Sequence, residues 1–147
     1  MIRRTHRAFT LIELLLVVVI LAVLAAVVVP IYTGQIQKTR IRTTIADISQ
    51  LETSLAAFQL ENGRFPTTDE GLGALVRAPA DLVGSWSGPY VKQVTSDKWG
   101  HYYRYICPAP EDPSTYLLFS CGPDGQEYTA DDITQYTTDT GVAVEAQ

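Results

Sequence analysis

Residues 7–31 read RAFTLIELLLVVVILAVLAAVVVPI, and this stretch decides the fold of the chain. From Leu11 to Val29 the only polar residue is Glu13. A helix needs about 20 consecutive apolar residues to cross the hydrocarbon core of a bilayer. The stretch therefore predicts a membrane-spanning helix over residues 9–31.

Basic residues lie on the N-terminal side of this stretch. Arg3, Arg4 and Arg7 precede it, and the positive-inside tendency places such a cluster in the cytoplasm. Everything that follows the stretch is then expected in the periplasm of a bacterium. A secretory signal peptide cut after Ala25 is an alternative. Glu13 argues against it, because a carboxylate near a bilayer centre costs about 2.5–3.5 kcal/mol and a signal peptide gains nothing from that cost.

The segment Arg7 to Leu14, RAFTLIEL, resembles the class III signal of type IV pilins and pseudopilins. The resemblance implies that a prepilin peptidase removes residues 1–8 as a leader by cleavage between Ala8 and Phe9. It also implies that Phe9 is then N-methylated. Proteins of this family normally have Gly before the cleavage point, and Ala8 differs from Gly by a single methyl group. The resemblance further implies assembly into a helical filament of many copies.

Glu13 and Pro30 are the two unusual residues of the apolar stretch. Cleavage would give Phe9 a positive amine four residues before Glu13, and we expect these opposite charges to neutralise each other between neighbouring subunits of a filament. A glutamate whose carboxylate reaches the membrane face is the simpler alternative. Pro30 lacks a backbone N–H and clashes with the carbonyl four residues earlier, so we expect a bend or local melting near Ala26–Pro30.

Residues 32–62 have the pattern of an amphipathic periplasmic helix. Apolar residues recur every three or four positions and are expected to pack on a globular domain: Ile41, Ile45, Ile48, Leu51, Leu55 and Phe58. The opposite, polar side remains for contacts within a filament. Asn62 and Gly63 end the helix, because both residues tolerate the left-handed conformation used at helix ends.

Residues 63–133 are predicted to form a small globular α+β domain. Thr67 and Glu70 have the spacing of a capping box before a short helix that ends by Pro79. Residues 102–107 and 115–120 read as two strands around a proline-rich turn, which predicts an antiparallel hairpin. The aromatic side chain of Trp99 is expected to anchor the core.

Two segments of this domain resemble the major pseudopilins of bacterial type II secretion systems. They are NGRFPTTDEGL at residues 62–72, and YVK at 90–92 followed by DKWGHYYRY at 97–105. The resemblance implies a pilin-like fold, in which a long N-terminal helix packs on a small antiparallel sheet. It also implies a structural subunit of the periplasmic pseudopilus, which supports export of folded proteins across the outer membrane. Minor pseudopilins and the inner-membrane secretion platform would then be its partners.

Residues 121–132, here called the acidic loop, carry Asp124, Asp131 and Asp132 around a glycine turn. Flexible loops rich in oxygen ligands suit Ca²⁺, although this spacing is not that of an EF-hand. Adjacent carboxylates also repel each other unless a cation or water lies between them. The resemblance to major pseudopilins implies a Ca²⁺ site made by the three aspartates and the backbone carbonyls of Cys121 and Thr129. A solvated acidic turn is the alternative.

Charge and residue types bound the remaining functions. Residues 111–147 carry eight acidic residues and no Lys or Arg, so we expect no binding to nucleic acid. His101 has no acidic or cysteine partner at the spacing of metal ligands, and the sequence shows no nucleophile–base pair. We therefore do not expect this chain to be an enzyme. Cys107 and Cys121 are expected to lie too far apart along the hairpin for a disulfide. Residues 134–147 look like a flexible tail.

Two other functions remain open at this point. A type IV or competence pilin would share the N-terminal signal, but it should have a C-terminal disulfide loop and no need for Ca²⁺. A membrane-anchored Ca²⁺-binding domain would keep residues 1–8 and stay monomeric. Removal of the leader and assembly into filaments therefore distinguish the three functions.

Overall fold

The computed structural model describes residues 10–137, except for the side chains of residues 27–33. Its elements are helix α1 (Leu11–Asn62), a 3₁₀ helix (Gly71–Leu75) and two strands, β1 (Arg104–Ile106) and β2 (Leu117–Phe119). The chain divides into two compact units between Gln37 and Lys38. Residues 138–147, most of the predicted flexible tail, lie outside the described residues.

Helix α1 is 52 residues long and ends where the sequence predicts. Gly63 follows it with a φ of 74°, and its N–H donates to the carbonyl of Gln59 at 2.8 Å. Glycine adopts this left-handed conformation without steric cost, which explains the stop. The helix includes Pro30, so local melting at Ala26–Pro30 is absent in the isolated chain. The expected bend stays a prediction.

The apolar stripe of α1 forms one wall of the core, as predicted. Ile48, Leu51, Leu55 and Phe58 are buried, and Ile41 and Ile45 pack partly buried against the same cluster. Full burial of such side chains stabilises the fold by about 1.5–3 kcal/mol each. The 3₁₀ helix contributes Leu75 to the core, and the two strands contribute Tyr105 and Leu118. Ile133, the residue that follows the acidic loop, completes the cluster.

The reciprocal bonds of the capping box are present, but they lie just before the helix, which is a five-residue 3₁₀ helix that begins at Gly71. The N–H of Thr67 donates to Glu70 Oε2 at 2.7 Å, and the N–H of Glu70 donates to Thr67 Oγ1 at 3.3 Å. Arg64 adds a forked pair of bonds to the Glu70 carboxylate, at 2.7 and 2.8 Å, and a third bond to Asp81 at 2.7 Å. The hydrogen bond with Arg64 lowers the pKa of Glu70 to about 2.

The predicted hairpin is confirmed, with shorter strands. β1 and β2 pair antiparallel, with Tyr105 opposite Leu118. One end of the ladder stops because the backbone N–H and carbonyl of Cys107 bond to Thr68 instead of β2. The other end stops because Ser120 pairs with Ile133. Each interruption redirects a strand end toward a neighbouring loop, and the second one shapes the acidic loop.

Aromatic and cysteine side chains occupy different depths around this sheet. Trp99 packs against the core but is only partly buried, whereas its neighbour Asp97 is 5% exposed. The sequence does not reveal this buried carboxylate.

Both cysteines are free thiols, with Cys121 buried and Cys107 partly exposed. Burial raises the pKa of the Cys121 thiol.

Candidate functional site

The N-terminal half of α1 is an apolar surface. Every side chain from Leu11 to Ala26 is exposed, from 83% for Leu11 to about half for residues near the middle of the run. Ala8 and Phe9, the predicted cleavage point, and the side chain of Pro30 lie outside the described residues. Within the described part of the chain, no helix combines the length and the apolar character needed to cross a membrane.

Glu13 has a local partner that the sequence reasoning missed. Its Oε2 accepts hydrogen bonds from the backbone N–H of Thr10 at 3.0 Å and from Thr10 Oγ1 at 2.9 Å. Thr10 Oγ1 in turn accepts from the N–H of Glu13 at 3.3 Å. This is the reciprocal geometry of a capping box, and the spacing Thr-x-x-Glu is its signal in the sequence. Glu13 therefore helps to start α1, and its role between subunits stays a prediction.

The acidic loop is closed at its base by backbone pairing. Ser120 donates to the Ile133 carbonyl at 2.9 Å, and Ile133 donates back to Ser120 at 2.8 Å. Gly122 lies close to the backbone of Asp131 inside the loop, with a φ of 59°. A Cβ on Gly122 would collide with the carbonyl oxygen of Asp131. Only glycine lets the two sides of the loop meet here.

All three predicted aspartate ligands already accept hydrogen bonds within the loop. Asp124 Oδ1 accepts from the N–H of Gln126 at 2.8 Å. Asp131 Oδ2 accepts from the N–H of Asp124 at 3.2 Å, and its Oδ1 accepts from the hydroxyl of Thr129 at 2.7 Å. These bonds orient both carboxylates by short-range contacts. Each still has lone pairs for a further partner, because an ionised carboxylate offers about four acceptor sites.

Asp132 is the unusual carboxylate of the loop. Its Oδ2 accepts from the N–H of Tyr128 at 2.8 Å, whereas its buried Oδ1 has no hydrogen-bond partner among the residues that the structure describes. Burial raises the pKa of Asp132, and the charges of Asp131 and Asp124 raise it further. A buried oxygen without a hydrogen-bond partner is costly in free energy.

The structure brings the three aspartates into one loop without gathering them tightly. Among the residues that it describes, no group of three His, Cys, Asp or Glu side chains is arranged to hold a metal ion. The Thr129 carbonyl already accepts from the N–H of Asp132 at 3.3 Å. The oxygen donors and the unpaired Asp132 Oδ1 fit a hard cation in chemical type. Binding would require the carboxylates to draw closer.

Residues outside the loop also hold it, and the sequence reasoning did not single them out. Arg104 Nε lies 2.8 Å from Glu127 Oε1, which ties β1 to the middle of the loop. Tyr128 has a φ of 63°, and its ring packs on Phe119 with centroids 5.8 Å apart. Pairs this distant along the chain leave no spacing pattern, so only the fold could reveal them.

Comparison with known families gives two matches along the chain. Residues 31–136 match the family model described as "Type II secretion system (T2SS), protein G". Residues 3–29 match the model described as "Prokaryotic N-terminal methylation motif". Together the two matches cover the apolar segment, the hairpin and the acidic loop.

Individual relatives agree with these matches. The type II secretion system core protein G of Dickeya chrysanthemi is 38% identical over 94% of this chain and 91% of its own length. The protein of the same name from Escherichia coli K12 is 39% identical over 89% of this chain and 91% of its own. The crystal structure of the major pseudopilin of the type 2 secretion system of enterohaemorrhagic Escherichia coli has 33% identity and a TM-score of 0.57. The match covers 69% of this chain and 90% of the chain in that crystal structure.

Proposed function

Because this chain belongs to the type II secretion system protein G family, we propose that its apolar segment first anchors each subunit in the inner membrane and later forms the core of a filament. The chain is a structural subunit of the pseudopilus. The match over residues 31–136 favours this function over a type IV or competence pilin. The family is structural, so the chain works by assembly rather than by catalysis.

The exposed apolar surface of residues 11–26 is the observation that carries this proposal. A contiguous apolar surface of this size is costly in water and marks a surface for lipid or protein. The C-terminal unit has its own core, so it does not need this segment to bury its apolar residues. Residues 9–31 would cross the membrane once, with the N-terminus in the cytoplasm and the globular domain in the periplasm.

Processing is proposed at the start of this segment. A prepilin peptidase would cut between Ala8 and Phe9 and leave an N-methylated Phe9, which the match to an N-terminal methylation motif supports. The positive amine of Phe9 would then meet the carboxylate of Glu13 on a neighbouring subunit. Moving a charge out of water costs free energy, and only a nearby opposite charge offsets that cost. This pairing would set the stagger between copies, and Pro30 would let α1 bend as a subunit leaves the bilayer.

Calcium binding is proposed for the acidic loop. Asp124, Asp131 and Asp132 would supply carboxylate oxygens, and Cys121 and Thr129 would supply backbone carbonyls. The positive charge of the ion would balance the negative charges of these carboxylates. The unpaired Oδ1 of Asp132 supports the proposal, as does the chemistry of the donor set. A bound ion would fix the loop against β1 and β2 before the subunit enters the filament.

The proposed partners follow from the same position in the system. Copies of this chain would form the helical filament, minor pseudopilins would join it, and the inner-membrane platform would add subunits from below. The polar side of residues 34–62 is mostly exposed and would be available for contacts between copies. These partners are structural neighbours, and no nucleic acid is expected among them because the C-terminal part is acidic.

Intact mass and N-terminal sequencing of the membrane-extracted chain test the proposal. The cells should contain a prepilin peptidase, and a matched culture without the peptidase is the control. We expect a chain that begins with N-methylated Phe9 only when the peptidase is present. A chain that begins at Met1 in both cultures, or at Ala26, would contradict processing and the filament role built on it.

A further inference from the structure

We propose that His101 is a positioning residue for the acidic loop, which it orders through contacts on both sides of Asp124 without ligating the ion itself. The proposal rests on the Ca²⁺ site proposed above. It concerns a residue that lies 20 positions before the loop in sequence and is not one of the five proposed ligands.

His101 contacts the loop at two points. Its Nδ1 lies 3.1 Å from the carbonyl oxygen of Gly122. A carbonyl oxygen can only accept, so Nδ1 carries the hydrogen of this bond. The other side of the ring faces Gly125, where a Cβ would lie 2.8 Å from Nε2 and 2.9 Å from Cε1. The imidazole therefore touches the turn directly before and directly after the Pro123–Asp124 pair.

The backbone of His101 is itself held in place by a buried carboxylate. Its N–H donates to Asp97 Oδ1 at 2.8 Å, and the N–H of Asp97 donates to the His101 carbonyl at 2.8 Å. The Asp97 carboxylate is fully buried, and its Oδ1 also accepts from the N–H of Trp99 at 3.0 Å. A buried charge with this many donors strongly favours one backbone geometry.

The same carboxylate reaches the base of the loop through Ser120. The hydroxyl of Ser120 donates to Asp97 Oδ2 and accepts from the N–H of Gly122 at 3.1 Å. Ser120 also forms the backbone pair with Ile133 that closes the loop. Asp97 thus connects the segment that carries His101 with the base of the loop. The ring of His101 then connects the same network to Gly122 and Gly125 inside the loop.

This arrangement predicts a loop that is partly ordered before any ion binds. A flexible loop must lose backbone freedom on binding, and this loss costs free energy for every residue that becomes fixed. Contacts that fix Gly122 and Gly125 in advance reduce that cost, which is the usual benefit of preorganisation. Loss of a contact that orients metal ligands typically lowers metal affinity by about 10–100-fold. We expect His101→Phe to fall near the lower end of this range.

Substitutions at position 101 separate the two contacts. His101→Phe keeps a ring against Gly125 and removes the donor to Gly122. His101→Asn removes the ring but keeps a donor, because its Nδ2 occupies nearly the same place as the imidazole Nδ1. Tyr102→Phe, at an exposed neighbouring residue, is the matched control. The full chain in detergent is titrated with Ca²⁺ by calorimetry, and amide hydrogen exchange of residues 121–129 is measured without Ca²⁺.

We expect His101→Phe to lower Ca²⁺ affinity about 10-fold and to speed exchange in the loop, while His101→Asn restores most of both and Tyr102→Phe changes neither. Unchanged affinity and unchanged exchange in His101→Phe would overturn the proposal. If the unsubstituted chain binds no Ca²⁺, the proposed calcium function fails by itself. The exchange rates then still decide whether His101 orders the loop.

Discussion

The two halves of α1 differ in where their apolar side chains find partners. From Ile48 to Phe58 the apolar residues form one stripe, and the stripe is buried in the core of its own chain. From Leu11 to Ala26 apolar residues surround the helix, and all of them are exposed. The first segment is complete within one subunit. The second is exposed to the lipid or other copies that we propose as its partners, and this difference separates the folding part of the helix from the proposed assembling part.

The acidic residues of the C-terminal unit repeat this contrast. Glu70 has its own cation, since Arg64 binds it with two bonds and lowers its pKa to about 2. Asp132 has two aspartates in its surroundings and an unpaired buried oxygen, and its pKa is raised. One carboxylate is balanced by a cation of its own chain, and the other would be balanced by the Ca²⁺ ion that we propose. Substitutions can test both halves of the contrast.

The largest expected effect comes from the stripe. Phe58→Ala removes a fully buried ring and leaves a cavity, which should lower the free energy of unfolding by about 3–5 kcal/mol. Leu60→Ala, two residues on, changes a side chain that is 87% exposed and should be nearly neutral. Denaturant unfolding of the full chain in detergent, followed by tryptophan fluorescence, measures both. Equal losses in the two variants would contradict the one-sided burial of this segment.

Calcium should have the next largest effect. At a free Ca²⁺ concentration 100 times the dissociation constant, binding to the native state alone stabilises it by about 2.7 kcal/mol. Asp132→Asn should abolish this gain, because it removes a charge and an oxygen from the proposed site. Without Ca²⁺ the same variant should be at least as stable as the original, since it removes repulsion from Asp131 and Asp124.

Thermal unfolding with Ca²⁺ and with chelator measures both effects. Glu111→Gln removes an exposed carboxylate outside the loop and serves as the control. A Ca²⁺-induced shift that persists in Asp132→Asn would place the ion elsewhere. A loss of stability in chelator would show that Asp132 is satisfied by the chain, contrary to the contrast with Glu70.

A smaller effect is expected at the capping box. Glu70→Gln keeps the capping geometry but loses the charge that faces Arg64, which should cost about 1 kcal/mol at neutral pH. The pKa of Glu70 is about 2 in the folded chain, below the value of about 4.3 expected for unfolded Glu. The contribution of the Glu70 charge to the free energy of unfolding is therefore fully present above about pH 4.3 and is lost as the pH falls toward 2.

Unfolding experiments between pH 7 and pH 2 test this dependence. The difference between the original chain and Glu70→Gln should stay constant down to about pH 5 and then shrink. Asp69→Asn, at the exposed neighbouring carboxylate, is the matched control and should show little change. A difference that grows as the pH falls would contradict the pairing of Glu70 with Arg64.

The smallest effect is expected for the exposed ion pair between β1 and the acidic loop. Arg104 and Glu127 keep 51% and 36% of their side chains exposed, and such pairs contribute about 0.2–1 kcal/mol. Arg104→Gln should therefore lower stability by less than about 1 kcal/mol, and high salt should lessen the loss. A larger loss, independent of salt, would mean that Arg104 holds the fold rather than only the loop.

The sequence predicted those parts of the fold that depend on local patterns. The stripe from Ile48 to Phe58, the stop at Gly63, the Thr67–Glu70 box and the hairpin all have short spacings, and all are confirmed. The strands came out shorter because Thr68 and Ile133 compete for their ends, and such long-range competition has no local signal. Even the local Thr10–Glu13 box was missed, because the apolar surroundings of Glu13 favoured an intersubunit role.

The candidate site was predictable in its composition but not in its geometry. Asp124, Asp131 and Asp132 fall in one loop, as their spacing implied, but they are not gathered into a metal-binding group. Asp97 and His101 were unpredictable as supports, since His101 reaches the loop and Asp97 reaches Ser120 at its base through contacts between residues far apart in sequence. Their connection through Ser120 depends on which strand end is redirected. Tertiary structure alone determines this.

Electron cryomicroscopy of filaments tests the central claim most directly, that Leu11–Ala26 finds its partners in other subunits. The chain is produced with a prepilin peptidase and the secretion platform, and filaments are reconstructed with Ca²⁺ present. We predict filaments in which residues 11–26 of neighbouring copies pack against one another in the core, with the globular domains outside. Filaments whose core excludes these residues, or a processed chain that stays monomeric with Ca²⁺, would contradict it.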